Sequence, residues 1–173
     1  MVRVVLYRPE IPQNTGNIAR TCAATRTPLH LIRPLGFHLS DRHLKRAGLD
    51  YWPYVDLHIH ESFSDFLETV RPGRCVLFST RGKMLYTDWR FNIDDCLVFG
   101  SETSGLPREL LEDPSYPVIR IPHDRSRVRS LNLSTAVGIA LYEALRQLEF
   151  GTLFAGICRH EGGGHGERCE GVV

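Results

Sequence analysis

No stretch of about 18 consecutive apolar residues occurs in this chain, which excludes a conventional membrane-spanning helix. Charge of one sign is not in excess either: 21 Lys and Arg stand against 20 Asp and Glu, a formal net charge of +1. Bulk electrostatics therefore does not mark a nucleic-acid binder, and any such role rests on local clusters. The amino terminus begins directly with the strand-like Val2-Arg3-Val4-Val5-Leu6-Tyr7 and lacks the charged-then-apolar plan of a signal peptide. Cysteine is sparse, five residues and an odd number. Cys22, Cys75 and Cys96 lie in apolar segments and are expected as small core residues. This usage points to a reducing compartment, and a cytoplasmic location is expected. No internal repeat is visible, and no glycine fingerprint follows the first strand, which disfavours a doubly wound nucleotide-dependent oxidoreductase.

What is present is enough for one well-cored domain: 173 residues, 42% of them hydrophobic. Strand-like runs fall at 2–7, 29–33, 55–59, 75–79, 96–99 and 117–121. Helical spacing occupies the intervals. Residues 15–25 place Ile18, Ala19, Cys22 and Ala23 on one face, with Asn14 or Thr15 as the expected cap. Residues 41–47 start at an Asp and stop at Gly48, and 62–70 align Phe63, Phe66, Leu67 and Val70. Residues 134–148 present Val137, Ala140, Leu141, Ala144, Leu145 and Leu148. Alternation of strand and helix predicts an α/β fold with a mostly parallel sheet flanked by helices.

Composition changes after Phe150. Residues 151–173 are glycine-rich and carry Cys158, His160, His165 and Cys169. Their spacing is not that of a zinc finger or ribbon, so no metal is expected and the segment reads as a flexible tail behind a domain over residues 1–150.

Three segments carry the chemistry. The apolar run Leu97-Val98-Phe99 empties into Gly100-Ser101-Glu102-Thr103-Ser104-Gly105-Leu106-Pro107, a loop whose glycines let a ligand approach the backbone. A buried strand leading into such a loop is where α/β proteins place small-molecule sites. The other two are Pro12-Gln13-Asn14-Thr15-Gly16-Asn17-Ile18-Ala19-Arg20 and Arg129-Ser130-Leu131-Asn132-Leu133-Ser134-Thr135-Ala136.

In this order the three segments resemble the three motifs of the SPOUT superfamily of RNA methyltransferases, most of all the small group that methylates the wobble-nucleotide ribose of tRNA (the TrmL group). Leu6-Tyr7-Arg8-Pro9-Glu10-Ile11, Arg46-Ala47-Gly48-Leu49-Asp50-Tyr51-Trp52 and Tyr142-Glu143-Ala144-Leu145-Arg146-Gln147-Leu148 extend the resemblance over roughly residues 1–150. The resemblance implies a deep C-terminal trefoil knot, against the general rule that chains do not thread loops. It implies S-adenosyl-L-methionine as cofactor and the 2'-hydroxyl of C34 or U34 of tRNA as methyl acceptor. Carried over, Phe78, Ser79 and Thr80 close one side of the cofactor pocket, and Gly100, Glu102, Gly105 and Leu106 form its second loop. Ile121 and Pro122 end a strand beside it, and Ser130, Leu131 and Asn132 open the last helix. Ile121 and Leu131 are expected to sandwich the adenine. Arg20 is the expected catalytic residue, with Asn14, Ser130 and Asn132 lining the same site. Taken singly, several have plainer readings: Ser130 or Ser134 as a helix cap, Asn14 as the cap of the first helix, Glu102 as a solvated loop acid.

Two basic clusters flank these motifs. Arg42, Lys45 and Arg46 crowd one short helix beside His43, and Arg125, Arg127 and Arg129 alternate before the third motif. Both are candidates for RNA phosphates. The resemblance further implies a homodimer gripping the anticodon stem-loop, with one subunit's Arg20 near the other's cofactor and Tyr142 at the interface. Other readings are 2'-O-methylation of another RNA, such as ribosomal RNA, and a non-catalytic RNA-binding dimer. The intact Asn14, Arg20, Glu102, Ser130 and Asn132 argue against the last.

Overall fold

Every residue of the strand Asp95–Phe99 is buried, as a strand covered by helices on both faces must be. Leu97 and Phe99 face one cluster, with Val4, Leu6, Leu29, Leu31, Val76 and Ile119. Cys96 and Val98 face the other, with Val5, Cys75 and Leu77. This alternation is the period-two rule of a pleated strand, here with apolar residues on both sides. The computed structural model describes residues 1–38 and 51–151. The helix expected over 41–47, with Arg42, Lys45 and Arg46, lies outside the described residues, as does the tail from 152 onward.

The elements follow as β1 (Arg3–Tyr7), α1 (Pro12–Thr25), β2 (Leu29–Ile32), β3 (Leu57–His60), α2 (Phe63–Val70), β4 (Arg74–Phe78), β5 (Met84–Leu85), β6 (Asp95–Phe99), α3 (Arg108–Glu112), β7 (Val118–Arg120) and α4 (Leu133–Gln147), with a 3-10 turn at Trp52–Tyr54. The strands form one seven-stranded sheet in the order β3-β2-β1-β6-β4-β7-β5. All its strand pairs are parallel. The expected α/β class and parallel sheet are thus found. Helices α1 and α4 pack on each other over the first cluster. On the other face Phe63, Phe66 and Leu67 of α2 and Leu110 and Leu111 of α3 cover the second. Among the described residues no helix is long and apolar enough to cross a membrane.

Three departures from the expected elements have physical causes. β3 begins two residues later than the run at 55–59, because Val55 N–H closes the preceding 3-10 turn on the Trp52 carbonyl. β5 is only two residues long and exists because β7 offers it an edge. α3 is a five-residue turn, too short for helical periodicity to show.

β5 pairs with β7 rather than with β4, although β4 precedes it in the chain. The connection between β4 and β5 therefore crosses β7. Ser79 N–H donates to the Ile119 carbonyl and Tyr86 N–H to the Arg120 carbonyl. At Gly82 the crossing is backbone on backbone: a Cβ there would lie 2.6 Å from the Ile119 carbonyl carbon. Gly82→Ala is expected to lower the melting temperature by roughly 4–8 °C, about 2 kcal/mol. A melting curve unchanged within about 1 °C would show that the crossing is loose.

A buried histidine pair ties β2 to β3. His30 Nδ1 and His60 Nε2 are 3.0 Å apart, and the His58 ring stacks on His30 at 4.7 Å. Burial, reinforced by His58, His60 and Arg3, lowers the His30 pKa from 6.5 to about 3. Burial also lowers that of His60, opposed by Asp65. Folding holds the His30 ring neutral and biases His60 the same way, while unfolding frees both to protonate. Between roughly pH 6.5 and pH 3 the unfolded chain therefore binds more protons, and stability falls as pH falls. The melting temperature should drop on acidification from about pH 7 to about pH 4.5, and His30→Gln should flatten that drop. An equal slope in the variant would remove the pair as its cause.

Candidate active site

At the carboxyl ends of β6, β4 and β7 the sheet opens into a cleft of about 610 Å³. Its position obeys the rule that ligands bind beyond the carboxyl edge of a parallel sheet, where the strand order switches. The volume lies within the usual range for small-molecule sites. Phe78, Ser79 and Thr80 line it from the end of β4, Gly100, Glu102, Gly105 and Leu106 from the loop after β6, Ile121 from the end of β7, and Ser130, Leu131 and Asn132 from the approach to α4. Asn14 reaches it from α1. The structure thus brings segments from five parts of the chain to one cleft. Pro122 does not line it and is exposed, because successive side chains of an extended segment point to opposite sides and Ile121 takes the inward one.

The loop after β6 is tightly closed. Gly105 N–H donates to the Ser101 carbonyl at 2.9 Å, and the Ser101 and Ser104 hydroxyls are 2.7 Å apart. Gly105 has φ of 71°, a conformation that glycine adopts without steric cost. At Gly100 a Cβ would lie 2.0 Å from the Gly105 carbonyl carbon, so no side chain fits where the loop folds back on itself.

Glu102 is not a solvated acid. Its carboxylate accepts from Glu10 N–H at 2.8 Å, from Ile11 N–H at 3.2 Å and from Asn14 Nδ2 at 3.0 Å. Asn14 Oδ1 in turn accepts from Asn132 Nδ2 at 3.0 Å. Asn132 Oδ1 accepts from the N–H groups of Ser134 and Thr135, capping α4. The chain Glu102–Asn14–Asn132 joins all three motifs through side chains.

This arrangement corrects the expected caps. α1 starts at Pro12, and its cap residue, Ile11, offers no side-chain acceptor. Proline suits the first helical turn, and the Glu102 carboxylate supplies the acceptor and the negative charge that a local cap would have given. Asn14 lies inside the helix, buried, and is freed for the site. At α4 the cap is Asn132 rather than Ser130 or Ser134; the Ser134 hydroxyl itself donates to Asn132 Oδ1 at 2.7 Å.

Arg20 is not among the residues lining the cleft. It is exposed on α1, with its guanidinium carbon 5.2 Å from the centre of the Tyr51 ring. Of the second basic cluster, Arg125, Arg127 and Arg129 are all exposed, and Arg129 lines the cleft. His123 spans the base of their loop, with Nδ1 3.3 Å from the Ile121 carbonyl oxygen and Nε2 3.2 Å from that of Arg129. His123 was not visible in the sequence, because a loop-closing contact leaves no periodic pattern. Ser101 and Ser104 were visible as members of the glycine loop, but their mutual contact was not. Cys22, Cys75 and Cys96 are buried, and burial raises the Cys22 thiol to about 12. Among the described residues no cluster suited to a metal ion occurs.

Removing the Glu102 carboxylate would orphan two backbone N–H groups and the Asn14 amide. Hydrogen bonds to a charged group contribute about 1.5–3 kcal/mol each, so Glu102→Ala should lower the melting temperature by at least roughly 4 °C. It should also weaken binding of S-adenosylhomocysteine at least about tenfold, as read by calorimetry. Unchanged binding would separate the carboxylate from the cleft.

The model of the SpoU rRNA Methylase family matches residues 1–142. A tRNA (cytidine(34)-2'-O)-methyltransferase of Burkholderia cenocepacia is 49% identical over 153 residues, 87% of this chain and 97% of its own length. A relative from Synechocystis sp., 55% identical over 150 residues and covering 86% of this chain and 97% of its own, bears that name provisionally. A solved structure described as "Structural insights into the 2-OH methylation of C/U34 on tRNA" superposes with a TM-score of 0.81 at 57% identity, covering 86% of this chain and 97% of its own. An AdoMet-bound rRNA methyltransferase from Sinorhizobium meliloti superposes with a TM-score of 0.75 at 28% identity, over 85% of this chain and 56% of its own. With its family's model matched across most of its length, the chain belongs to the SpoU rRNA methylase family.

Proposed function

We infer that the protein transfers a methyl group from S-adenosyl-L-methionine to the ribose 2'-oxygen of the wobble nucleotide, C34 or U34, of tRNA. The carrying observation is the convergence of the three motif segments on one cleft, joined by the Glu102–Asn14–Asn132 chain, in a protein this similar to enzymes of that name.

The cleft fits this cofactor. In the closed loop from Gly100 to Leu106 the backbone is bare at Gly105, where a Cβ position has open space within 4 Å, which suits close approach of a ligand to N–H and C=O groups. Phe78, Leu106, Ile121 and Leu131 supply apolar surface for an adenine ring, with Ser79, Thr80 and Ser130 as polar partners. Bound there, the cofactor supplies an electrophilic methyl group on a sulfonium.

Arg20 acts on the RNA. A guanidinium keeps its proton at working pH, so it is no base. It holds the ribose hydroxyl or the adjacent phosphate and stabilises charge developing on the oxygen. The hydroxyl proton passes to a phosphate oxygen or to water. Asn14, Ser130 and Asn132 orient the ribose at the mouth of the cleft. Arg125, Arg127 and Arg129 take phosphates of the anticodon stem-loop, as do Arg42, Lys45 and Arg46 outside the described residues.

Because Arg20 stands away from the cleft of its own chain, the reading is completed by a homodimer in which Arg20 of the partner subunit serves each cleft. Tyr142, 49% exposed on α4, supports an interface there. The crossing of β7 by the segment that joins β4 to β5 supports the trefoil knot.

Nucleoside mass spectrometry of unmodified tRNA incubated with the protein and S-adenosyl-L-methionine should show one new 2'-O-methylated cytidine or uridine, mapped to position 34. A methyl group elsewhere moves the target; absence of product in every RNA fraction overturns the reading. Arg20→Ala should lower turnover at least about 100-fold while S-adenosylhomocysteine still raises the melting temperature. Retained turnover, or a lost thermal shift, contradicts its role.

A further inference from the structure

Tyr51 makes two contacts with one short stretch of α1. Its hydroxyl donates to the Gly16 carbonyl at 3.1 Å, and its ring lies beneath the Arg20 guanidinium at 5.2 Å. Gly16 and Arg20 are four residues apart, so the Gly16 carbonyl is also the helical acceptor of the Arg20 N–H. Tyr51 is thus fixed to the turn of helix from which Arg20 projects, and its ring faces the end of that same side chain.

Tyr51 itself is well held. It is only 8% exposed and packs in the core cluster on the α1 side of the sheet. The Trp52 ring meets it edge-on at 6.3 Å, and its own carbonyl accepts from Tyr54 N–H in the 3-10 turn. A buried, anchored ring under an exposed guanidinium restricts that side chain. Arginine on a helix surface otherwise samples many rotamers, and aromatic faces attract its planar cation.

We propose that Tyr51 is a positioning residue for the methyl transfer: it preorganises the Arg20 guanidinium, through the ring beneath it and the hydroxyl tied to the Gly16 carbonyl, so that the cation reaches the ribose or its phosphate already oriented. The inference rests on the reading of Arg20 given above. It acts on the chemical step and not on cofactor affinity, since Tyr51 does not line the cleft. Misplacing a catalytic group by about 1 Å can lower rate roughly 100-fold, so the lever is large enough to measure.

The experiment compares Tyr51→Leu and Tyr51→Phe in the wild-type and Arg20→Lys backgrounds, by steady-state methylation of tRNA and by the melting shift with S-adenosylhomocysteine. Tyr51→Leu should lower kcat at least about tenfold, with KM for the cofactor and the thermal shift unchanged within about twofold. Tyr51→Phe, which keeps the ring, should recover kcat to within about threefold of wild type. In the Arg20→Lys background the loss from Tyr51→Leu should shrink, because the two residues act as one unit. Equal losses in both backgrounds, or kcat within about twofold of wild type in Tyr51→Leu while Arg20→Ala is inactive, overturn the proposal alone. Full activity of Arg20→Ala overturns the reading of Arg20 and the proposal with it. A measurement independent of these variants is the Arg20 Nε–H proton resonance of the wild-type protein. An upfield ring-current shift is expected, and a free-arginine position overturns the proposal.

Discussion

Three side chains decide where the two principal helices begin. Asn132 gives its carbonyl oxygen to the free N–H groups at the start of α4, which leaves its amide nitrogen to face Asn14. Asn14 must then offer its own oxygen, and its amide nitrogen turns to Glu102. Glu102 accepts it together with the N–H groups of Glu10 and Ile11, at the open end of α1. Each amide has one acceptor and one donor group, so the orientation of each link is dictated by the one before. A helix N-terminus carries partial positive charge, and one carboxylate answers it from another part of the chain. The same atoms therefore fix α1, α4 and the loop after β6 relative to one another, which is also what shapes the cleft.

Much of this was legible in the sequence. The six longer strands, α2, and the apolar face of α4 followed from periodicity, because each buries a face whose pattern is local. The start of α1 did not: Asn14 and Thr15 look like caps, and only the arrival of Glu102 from 88 residues away releases Asn14 from that duty. β5 was invisible because two residues carry no period and the strand depends on β7 as its edge. The histidine pair was missed for a related reason, since His30 and His60 belong to different strands and meet only through their register. Most expected pocket residues converge because they follow strand ends, where position along the chain already determines position in space. Arg20 and Pro122 depart from that cleft, one carried outward on a helix face and the other by the alternation of an extended segment.

The two halves of the site differ in how they are made. The side proposed for the cofactor includes a loop packed so closely at Gly100 that a single methyl group would meet main-chain atoms. Its shape is enforced by sheet geometry and tolerates little change. The side proposed for RNA consists of exposed long cations, among them Arg20, which lies over the Tyr51 ring. Steric enforcement suits a cofactor of constant shape, and adjustable cations suit an RNA backbone that has to be gripped and released.

The link between Asn14 and Asn132 spans 118 residues and so carries a consequence for synthesis on the ribosome. At about 5–20 residues per second, Asn132 is added about 6–24 s after Asn14. Until then α1 lacks the partner that orients its amide, and the β6 loop has no α4 beside it. A nascent chain of this protein can form much of its sheet early, but it has no finished pocket until α4 has left the exit tunnel. Cofactor capture is therefore a late event in the life of the chain, and a ribosome that stops before Asn132 releases a product that lacks the link closing the site.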